Sequence, residues 1–507
     1  MDFYLCFFIT NLLGLPLAIY AFFKWKHQYW KRKNVPTFEP SIPFGNLENP
    51  LARTIAMDER YTDMYVEAKK KVASRCLILF IVYAVLASCL RVKGSFQEAA
   101  LIIFPSTPIK KHGRWNEKMA EMGQEEGWKH LELYMFTRPT YMVMDLDMVR
   151  NVMSRDFQYF EERGPYINEK GDPMSANVFF IGGHKWKNIR TKLTPAFTPV
   201  KLKNNFQMMV DYGKVLEKYF EEKAVQNRQP IEIKDTLDRY FMDLILCSEF
   251  SINCHSLDNP SAEFRTHGKQ VFNGGKFKNL RFLFGFTYPN FCRALGMRLI
   301  PKHVNDFFVN TITEIVKYRQ EKNVRGKDFI QLLIDLRNNK AVPKDWHRED
   351  GEILTMGELS AQCLAYFMAG YETSSSALTF TLFELARNPD IQKRVRKELE
   401  TVLAAHNHEI TYEVVLTDLK YAKQVIDEAL RLYPVSSVLT RVCVKDYRVP
   451  ESDLTIDKGT VILIPVKGIH KDGQYYEKPD EYDPERFSDV AKQARKPLCP
   501  PSVRRRA

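Results

Sequence analysis

Ala369-Gly370-Tyr371-Glu372-Thr373-Ser374 lies in the longest helix-like run of the chain, residues 355–388. Apolar residues recur there at three- and four-residue spacing, the period of a helix. Small side chains at Ala369 and Gly370 let a bulky group approach the backbone. A mid-helix glycine costs about 1 kcal/mol relative to alanine, so its presence asks for a reason. Glu372 followed by Thr373, an acid and then an alcohol, suits a proton relay to a bound ligand. A helix with a packing glycine and a Ser/Thr cluster fits the same letters. The surrounding sequence has to separate the two.

Upstream, Trp186-Lys187-Asn188-Ile189-Arg190 sets an indole N–H and a guanidinium one helical turn apart. Both groups only donate, which suits a buried anion such as a carboxylate. An ordinary amphipathic helix is the commoner reason for that spacing. Downstream, Glu428-Ala429-Leu430-Arg431 puts acid and base on one helix face, and Tyr433-Pro434 ends that helix abruptly. A buried Glu–Arg pair needs a further partner for the guanidinium's donors and the carboxylate's oxygens. Arg486, in the turn Asp483-Pro484-Glu485-Arg486-Phe487, is a candidate partner for Glu428.

Working outward, residues 204–225, 230–249, 302–323 and 328–338 carry the helical period, and Asp147–Ser154 starts a helix. Glu132–Phe136 and Tyr141–Met144 read as strands around an Arg138-Pro139 turn, and strands return at Thr440–Tyr447 and Val461–Val466. Residues 164–182 and 255–300 read as loops rich in aromatics, with Phe272, Phe277, Phe282, Phe284 and Phe286 suited to a bulky apolar ligand or to a core. The fold class is therefore mainly α with minor β, in one large domain over residues 51–487. Within it, Leu51–Lys70 looks helical, and residues 71–126 form an atypical insertion around the apolar run Cys76–Leu90.

The N-terminus carries a separate signal. Phe3–Phe23 is almost wholly apolar and, at 1.5 Å per residue, spans about 30 Å, the thickness of a bilayer's hydrocarbon. Lys24, Lys26, Lys31, Arg32 and Lys33 follow it, so the positive-inside rule puts the domain in the cytosol. Trp25, Tyr29 and Trp30 suit the membrane interface. Residues 1–34 are read as a transmembrane anchor helix with its stop-transfer, and residues 35–50, with four prolines, as a stiff hinge. The net charge of +12 fits an anionic membrane surface or an acidic partner, and no nucleic-acid-binding signature accompanies it. Nine scattered cysteines without a Cys-x-x-Cys pair exclude a disulfide framework and a zinc site.

Taken in order, Trp-x-x-x-Arg, Ala-Gly-x-Glu-Thr, Glu-x-x-Arg and Pro-Glu-Arg-Phe, behind an anchor and a proline hinge, strongly resemble the microsomal cytochrome P450 family. Lys192-Leu193-Thr194-Pro195-Ala196-Phe197-Thr198 is similar to arthropod xenobiotic-metabolising members. The resemblance covers residues 1–70 and 127–487. It implies a mostly helical fold around heme b (iron protoporphyrin IX). Thr373 and Glu372 would deliver protons in the oxygen pocket, with Ala369 and Gly370 leaving room for the oxygen. Trp186, Arg190 and Arg441, the last in Thr440-Arg441-Val442-Cys443, would hold the heme propionates. Glu428, Arg431 and Arg486 would form a buried structural triad. The implied activity is monooxygenation of small hydrophobic xenobiotics or endogenous lipids. Its electrons would come from NADPH through NADPH-cytochrome P450 reductase, at the endoplasmic reticulum membrane.

Two departures modify that expectation. The family's heme loop, Phe-x-x-Gly-x-Arg-x-Cys-x-Gly, should follow Phe487, and its thiolate should bind the iron. Here residues 488–507 form an aberrant tail whose one cysteine, Cys499, sits among Pro497, Pro500 and Pro501 with no glycine near. Proline removes N–H donors that a ligating thiolate needs, so no iron ligand is assigned and the P450 fold is expected to be C-terminally incomplete. Codons permitted for Leu498–Ala507, read one nucleotide earlier, spell Leu-Pro-Pro-Phe-Gly-Glu-Ala-Pro-Arg, which resembles the start of that loop; a frame error is the expectation. Joining Lys70 to Gly127 likewise restores the family pattern, so a retained intron or a re-entrant membrane loop accounts for residues 71–126. The expectation for this polypeptide is an inactive monooxygenase. The competing reading is a catalytically dead, membrane-anchored protein that binds apolar ligands or a reductase. A heme-thiolate isomerase or dehydratase is disfavoured by the Glu372–Thr373 pair.

Overall fold

A computed structural model describes residues 20–33, 130–226, 231–272, 275–338 and 354–494. In chain order its elements are α1 (Tyr29–Arg32), β1 (His130–Met135), β2 (Arg138–Val143), α2 (Leu146–Arg150), α3 (Gly183–Leu193), α4 (Pro199–Phe220) and α5 (Ile233–Phe250). There follow α6 (Glu263–Phe272), α7 (Gly275–Thr287), α8 (Pro289–Ala294), α9 (Lys302–Glu321), α10 (Phe329–Arg337) and α11 (Met356–Arg387). The rest are α12 (Pro389–Ala405), α13 (Tyr412–Thr417), α14 (Lys420–Leu432), β3 (Leu439–Val442), β4 (Tyr447–Arg448), β5 (Thr455–Ile456), β6 (Val461–Ile464), α15 (Val466–His470) and α16 (Asp489–Ala494).

The longest helix, α11, organises the domain. It starts on a capping box: Thr355 Oγ1 accepts the Glu358 amide, and Glu358 accepts the Thr355 amide. It ends where Asn388 hands over to Pro389, the first residue of α12. Both α11 and α5 bury residues around most of their circumference, which marks interior helices. They pack on one another, and α9, α10, α12 and α14 also lie against α11. Their apolar faces share one core with α3 and α4.

The sheet is minor. Its order is β1-β2-β6-β3, with β1/β2 and β3/β6 antiparallel and β2/β6 parallel. β4 and β5 make a separate hairpin. The first hairpin turns at Phe136–Thr137 rather than at Arg138-Pro139, with Phe136 at φ 53°. Pro139 sits inside β2 because the pairing with β6 begins only at Thr140, so its missing N–H breaks no bond there.

Residues 255–300, expected as loops, fold largely into α6, α7 and α8. Their glycines hid the helical period. At Gly268 the place of a Cβ lies 3.0 Å from the Phe367 ring of α11, so a close helix contact chose the glycine. Phe282 and Phe286 are core residues. The N-terminal segment also differs from expectation. Trp30 is fully buried, and its indole donates to Leu133 O at 3.1 Å. Tyr29 donates to Asp457 at 2.5 Å, and Lys33 pairs with the same carboxylate at 2.7 Å. Of the three aromatics assigned to a membrane interface, Trp25 alone is exposed; Tyr29 and Trp30 dock on the domain instead. Among the described residues no helix is long and apolar enough to cross a membrane. Most of the expected anchor, the proline hinge, the helix over 51–70, residues 71–126 and Cys499 lie outside the described residues.

Candidate functional site

Glu372 and Thr373 are neighbours in sequence but face different partners, as residues about 100° apart on a helix must. Thr373 Oγ1 donates to Ala369 O at 2.6 Å, which ties the alcohol to the small residue four positions back. Glu372 instead meets α5: Lys234 Nζ lies 3.2 Å from its Oε1. Burial pushes the Glu372 carboxyl above its usual range; Lys234 opposes that push and Asp238 adds to it. Gly370 also faces α5. A Cβ there would sit 2.7 Å from Ile245 Cδ1. On that side the room that Gly370 provides is taken by a packed isoleucine.

Trp186 and Arg190 lie on α3, and Arg441 on β3. Trp186 is buried, with its indole 5.7 Å from the Phe157 ring. Burial lowers the pKa of Arg190. Arg441 is buried and donates from Nη1 to Thr440 O at 2.7 Å. The stretch Glu161–Glu162 runs between the two elements. Lys187 of α3 pairs with Glu161 at 2.7 Å, and Val442 of β3 donates its amide to Glu162 O at 2.7 Å. Three donor-only side chains are thus desolvated around one part of the domain. That chemistry fits the acid groups of a heme and would not fit a cation.

The Glu428 cluster gathers three buried charges and several backbone carbonyls. Arg431 Nε and Nη2 donate to Glu428 Oε2 and Oε1 at 2.7 and 2.8 Å, a bidentate pair. Nη1 donates to His470 O at 2.8 Å and Pro479 O at 2.7 Å, and Nη2 also reaches Glu481 O at 3.1 Å. Arg486 Nε is 3.3 Å from Glu428 Oε1, and the Asp483 amide donates to the same oxygen at 3.0 Å. All three charged residues are buried. The structure therefore brings Glu428, Arg431 and Arg486 into one unit that fastens the stretch 470–486 to α14.

The thiols test the other half of heme binding. A ligating cysteine must be a thiolate. The described cysteines are Cys247, Cys254, Cys292, Cys363 and Cys443. Burial pushes Cys254 up to about 12, Cys443 to about 11, and Cys292 and Cys363 above the ordinary thiol value. Each of these four thiols is raised, which works against the thiolate that an iron ligand must be.

Sequence reasoning missed Lys234, Asp238 and Ser375. Lys234 and Asp238 sit four apart on α5 and pair with each other, a spacing that also occurs on any solvated helix face. Only the approach of α5 to α11 reveals their target. Tyr433 was likewise read as a helix terminator, yet its hydroxyl donates to buried Glu384 at 2.5 Å and its ring stacks on Phe380 at 4.4 Å.

Desolvated donor-only side chains and a buried helix carrying acid and alcohol are what a heme-dependent oxygenase would use. The chain belongs to the cytochrome P450 family: the family's profile matches residues 97–499, well over half of its length. Probable cytochrome P450 6a23 of Drosophila melanogaster is 34% identical over 494 residues, covering 97% of this chain and 86% of that protein. Cytochrome P450 6A1 of Musca domestica is 33% identical over 488 residues, covering 95% and 83%. Probable cytochrome P450 6a14 of Drosophila melanogaster is 38% identical over 374 residues, covering 72% and 73%. Members of the family bind heme and act as monooxygenases.

Proposed function

We propose that the chain is a microsomal monooxygenase of small hydrophobic substrates, xenobiotics or endogenous lipids. It takes electrons from NADPH through NADPH-cytochrome P450 reductase. Residues 3–23 hold it in the endoplasmic reticulum membrane with the domain in the cytosol. Its net charge of +12 suits an acidic redox partner. The bound heme supplies reductive activation of dioxygen. Trp186, Arg190 and Arg441 would hold its propionates. Thr373, whose proton is committed to Ala369 O, offers its oxygen as an acceptor in the pocket, and Glu372 is the acid behind it. Glu428, Arg431 and Arg486 would keep the stretch 470–486 rigid against α14.

The reading is carried by the desolvated donor set of α3 and β3 in a chain of this family. Its test is heme content after expression with added heme precursor. Wild type should copurify with heme. Arg441→Leu and Arg190→Leu should each lose most of it while keeping the wild-type far-ultraviolet circular dichroism. Undiminished heme in both variants would sink the assignment.

The prolines around Cys499 favour a second reading of the polypeptide as written: a protein that binds apolar ligands or the reductase without turnover. Burial raises the thiols of Cys254, Cys292, Cys363 and Cys443 above the ordinary value. A carbon-monoxide difference spectrum of reduced protein separates the readings. A thiolate-shifted Soret band supports turnover; an unshifted band supports the second.

A further inference from the structure

The contact between α5 and α11 places three ionisable groups and one hydroxyl together. Lys234 Nζ pairs with Asp238 Oδ1 on its own helix and reaches Glu372 Oε1 and Ser375 Oγ on α11, each at 3.2 Å. Ser375 Oγ in turn donates to Asp238 Oδ1 at 2.6 Å. All four side chains are largely withdrawn from water. One ammonium therefore serves two carboxylates in a poorly solvated gap. Ionising both would leave a net negative charge there, which a low-dielectric site resists. The cheaper state keeps one proton. Asp238 accepts the closest ammonium contact and the serine hydroxyl on the same oxygen, so it is the better stabilised anion. Glu372 has the longer bond, and the proton belongs on it.

We propose that Lys234 and Asp238 are positioning residues that keep Glu372 as a proton-holding acid at neutral pH, with the negative charge resting on Asp238. The use of that proton in turnover rests on the monooxygenase reading; its presence does not. The charged groups facing Glu372 are Lys234 and Asp238 from α5 and Lys269 from α6. Lys269 is occupied by Asp235 at 2.6 Å, and Arg265 pairs with the same carboxylate, so α6 adds little positive charge toward Glu372. Burial and Asp238 both raise the Glu372 carboxyl, in keeping with the shared-proton arrangement.

The sign of the linkage follows. A carboxyl raised in the folded protein binds a proton that the unfolded chain has released above about pH 4.3, so stability falls as pH rises from there toward the folded value. Buried Glu132 and Glu249, both raised to about 8, contribute parallel slopes that cancel in differences between variants. The experiment is urea unfolding of the full chain in detergent from about pH 5 to about 7, comparing wild type with Glu372→Gln and Asp238→Asn. Relative to Glu372→Gln, the wild-type folding constant should fall about tenfold per pH unit, one proton's worth. Asp238→Asn should lose the same slope, because Glu372 then has Lys234 to itself and ionises. A wild-type slope surviving in Glu372→Gln overturns the proposal, and so does one surviving in Asp238→Asn. If Asp238→Asn does not fold, infrared spectra of wild type and Glu372→Gln decide. A protonated-carboxyl band at pH 7 that the variant lacks supports the proposal, and identical spectra refute it. Neither measurement needs heme, so failure here is distinct from failure of the monooxygenase reading.

Discussion

Replacing Arg431 by lysine should be among the most damaging single changes in the domain, although it conserves charge. The guanidinium has five N–H donors, and all five are used: two on Glu428 and three on the carbonyls of His470, Pro479 and Glu481. Lysine brings three donors on a compact head that cannot span the same fork. At least two buried acceptors are then left open, at about 1–3 kcal/mol each. The bidentate grip on Glu428 is also lost, and breaking a buried ion pair costs about 3–5 kcal/mol. The two figures overlap because they describe the same lost bonds, so about 3–5 kcal/mol is the expected total. Against a typical stability of about 5–15 kcal/mol that is a large share. The measurement is the urea midpoint of Arg431→Lys against wild type at an unchanged m-value. Arg486→Lys is the internal comparison: that guanidinium meets Glu428 through Nε alone at 3.3 Å, and its other nitrogens reach the Glu477 and Lys478 carbonyls. It should cost less. If Arg431→Lys lies within about 1 kcal/mol of wild type, or Arg486→Lys costs more, the donor accounting is wrong and water fills the cluster.

His470, whose own carbonyl is one of that cluster's acceptors, has its imidazole lowered to about 4 by burial. The unfolded chain binds the proton near pH 6.5 and the folded one does not, so stability should be lost as pH falls through the interval between them. His470→Gln should flatten the loss, read as the melting temperature at pH 7 and pH 5. Gly370→Ala forces a methyl group to within 2.7 Å of Ile245 Cδ1 and 2.8 Å of its Cγ1 and should cost about 1–3 kcal/mol, partly offset by alanine's helix preference; Ile245→Val in the same chain removes only the first of these atoms and should restore part of the urea midpoint. Thr355→Ala removes half of the capping box of α11 and should cost about 1 kcal/mol in the same assay.

The long helices were legible because their apolar residues repeat with one period over several turns. Residues 355–388 became Met356–Arg387, 302–323 became Lys302–Glu321, and 328–338 became Phe329–Arg337. The helices over 263–294 were not legible. Gly268 and Gly285 are set by what packs against them, Phe367 and Leu299, and those partners are distant in sequence. The same limit hid Lys234 and Asp238, whose pairing looks like a solvated helix face until α11 is laid across it. Trp30 failed for a related reason. An aromatic after a basic stretch satisfies an interface rule, but its indole had a buried carbonyl on β1 to reach.

One five-residue stretch of α11 had two readings, a packing helix and a proton relay, and the structure distributes them by position. Gly370 packs on Ile245 and Glu372 binds Lys234, so both look toward α5. Thr373 spends its hydroxyl on its own helix, bonding back to Ala369 O. A substitution should therefore be felt according to the direction its residue faces, whatever its distance from the motif's centre. Thr373→Ala removes only a back-bond that already competes with the helix ladder, so it should leave the urea midpoint within about 0.5 kcal/mol of wild type. Gly370→Ala, three residues away, should not. If Thr373→Ala destabilised the domain as much as Gly370→Ala does, the hydroxyl would be a packing element, and its assignment to the oxygen pocket would lose its physical basis.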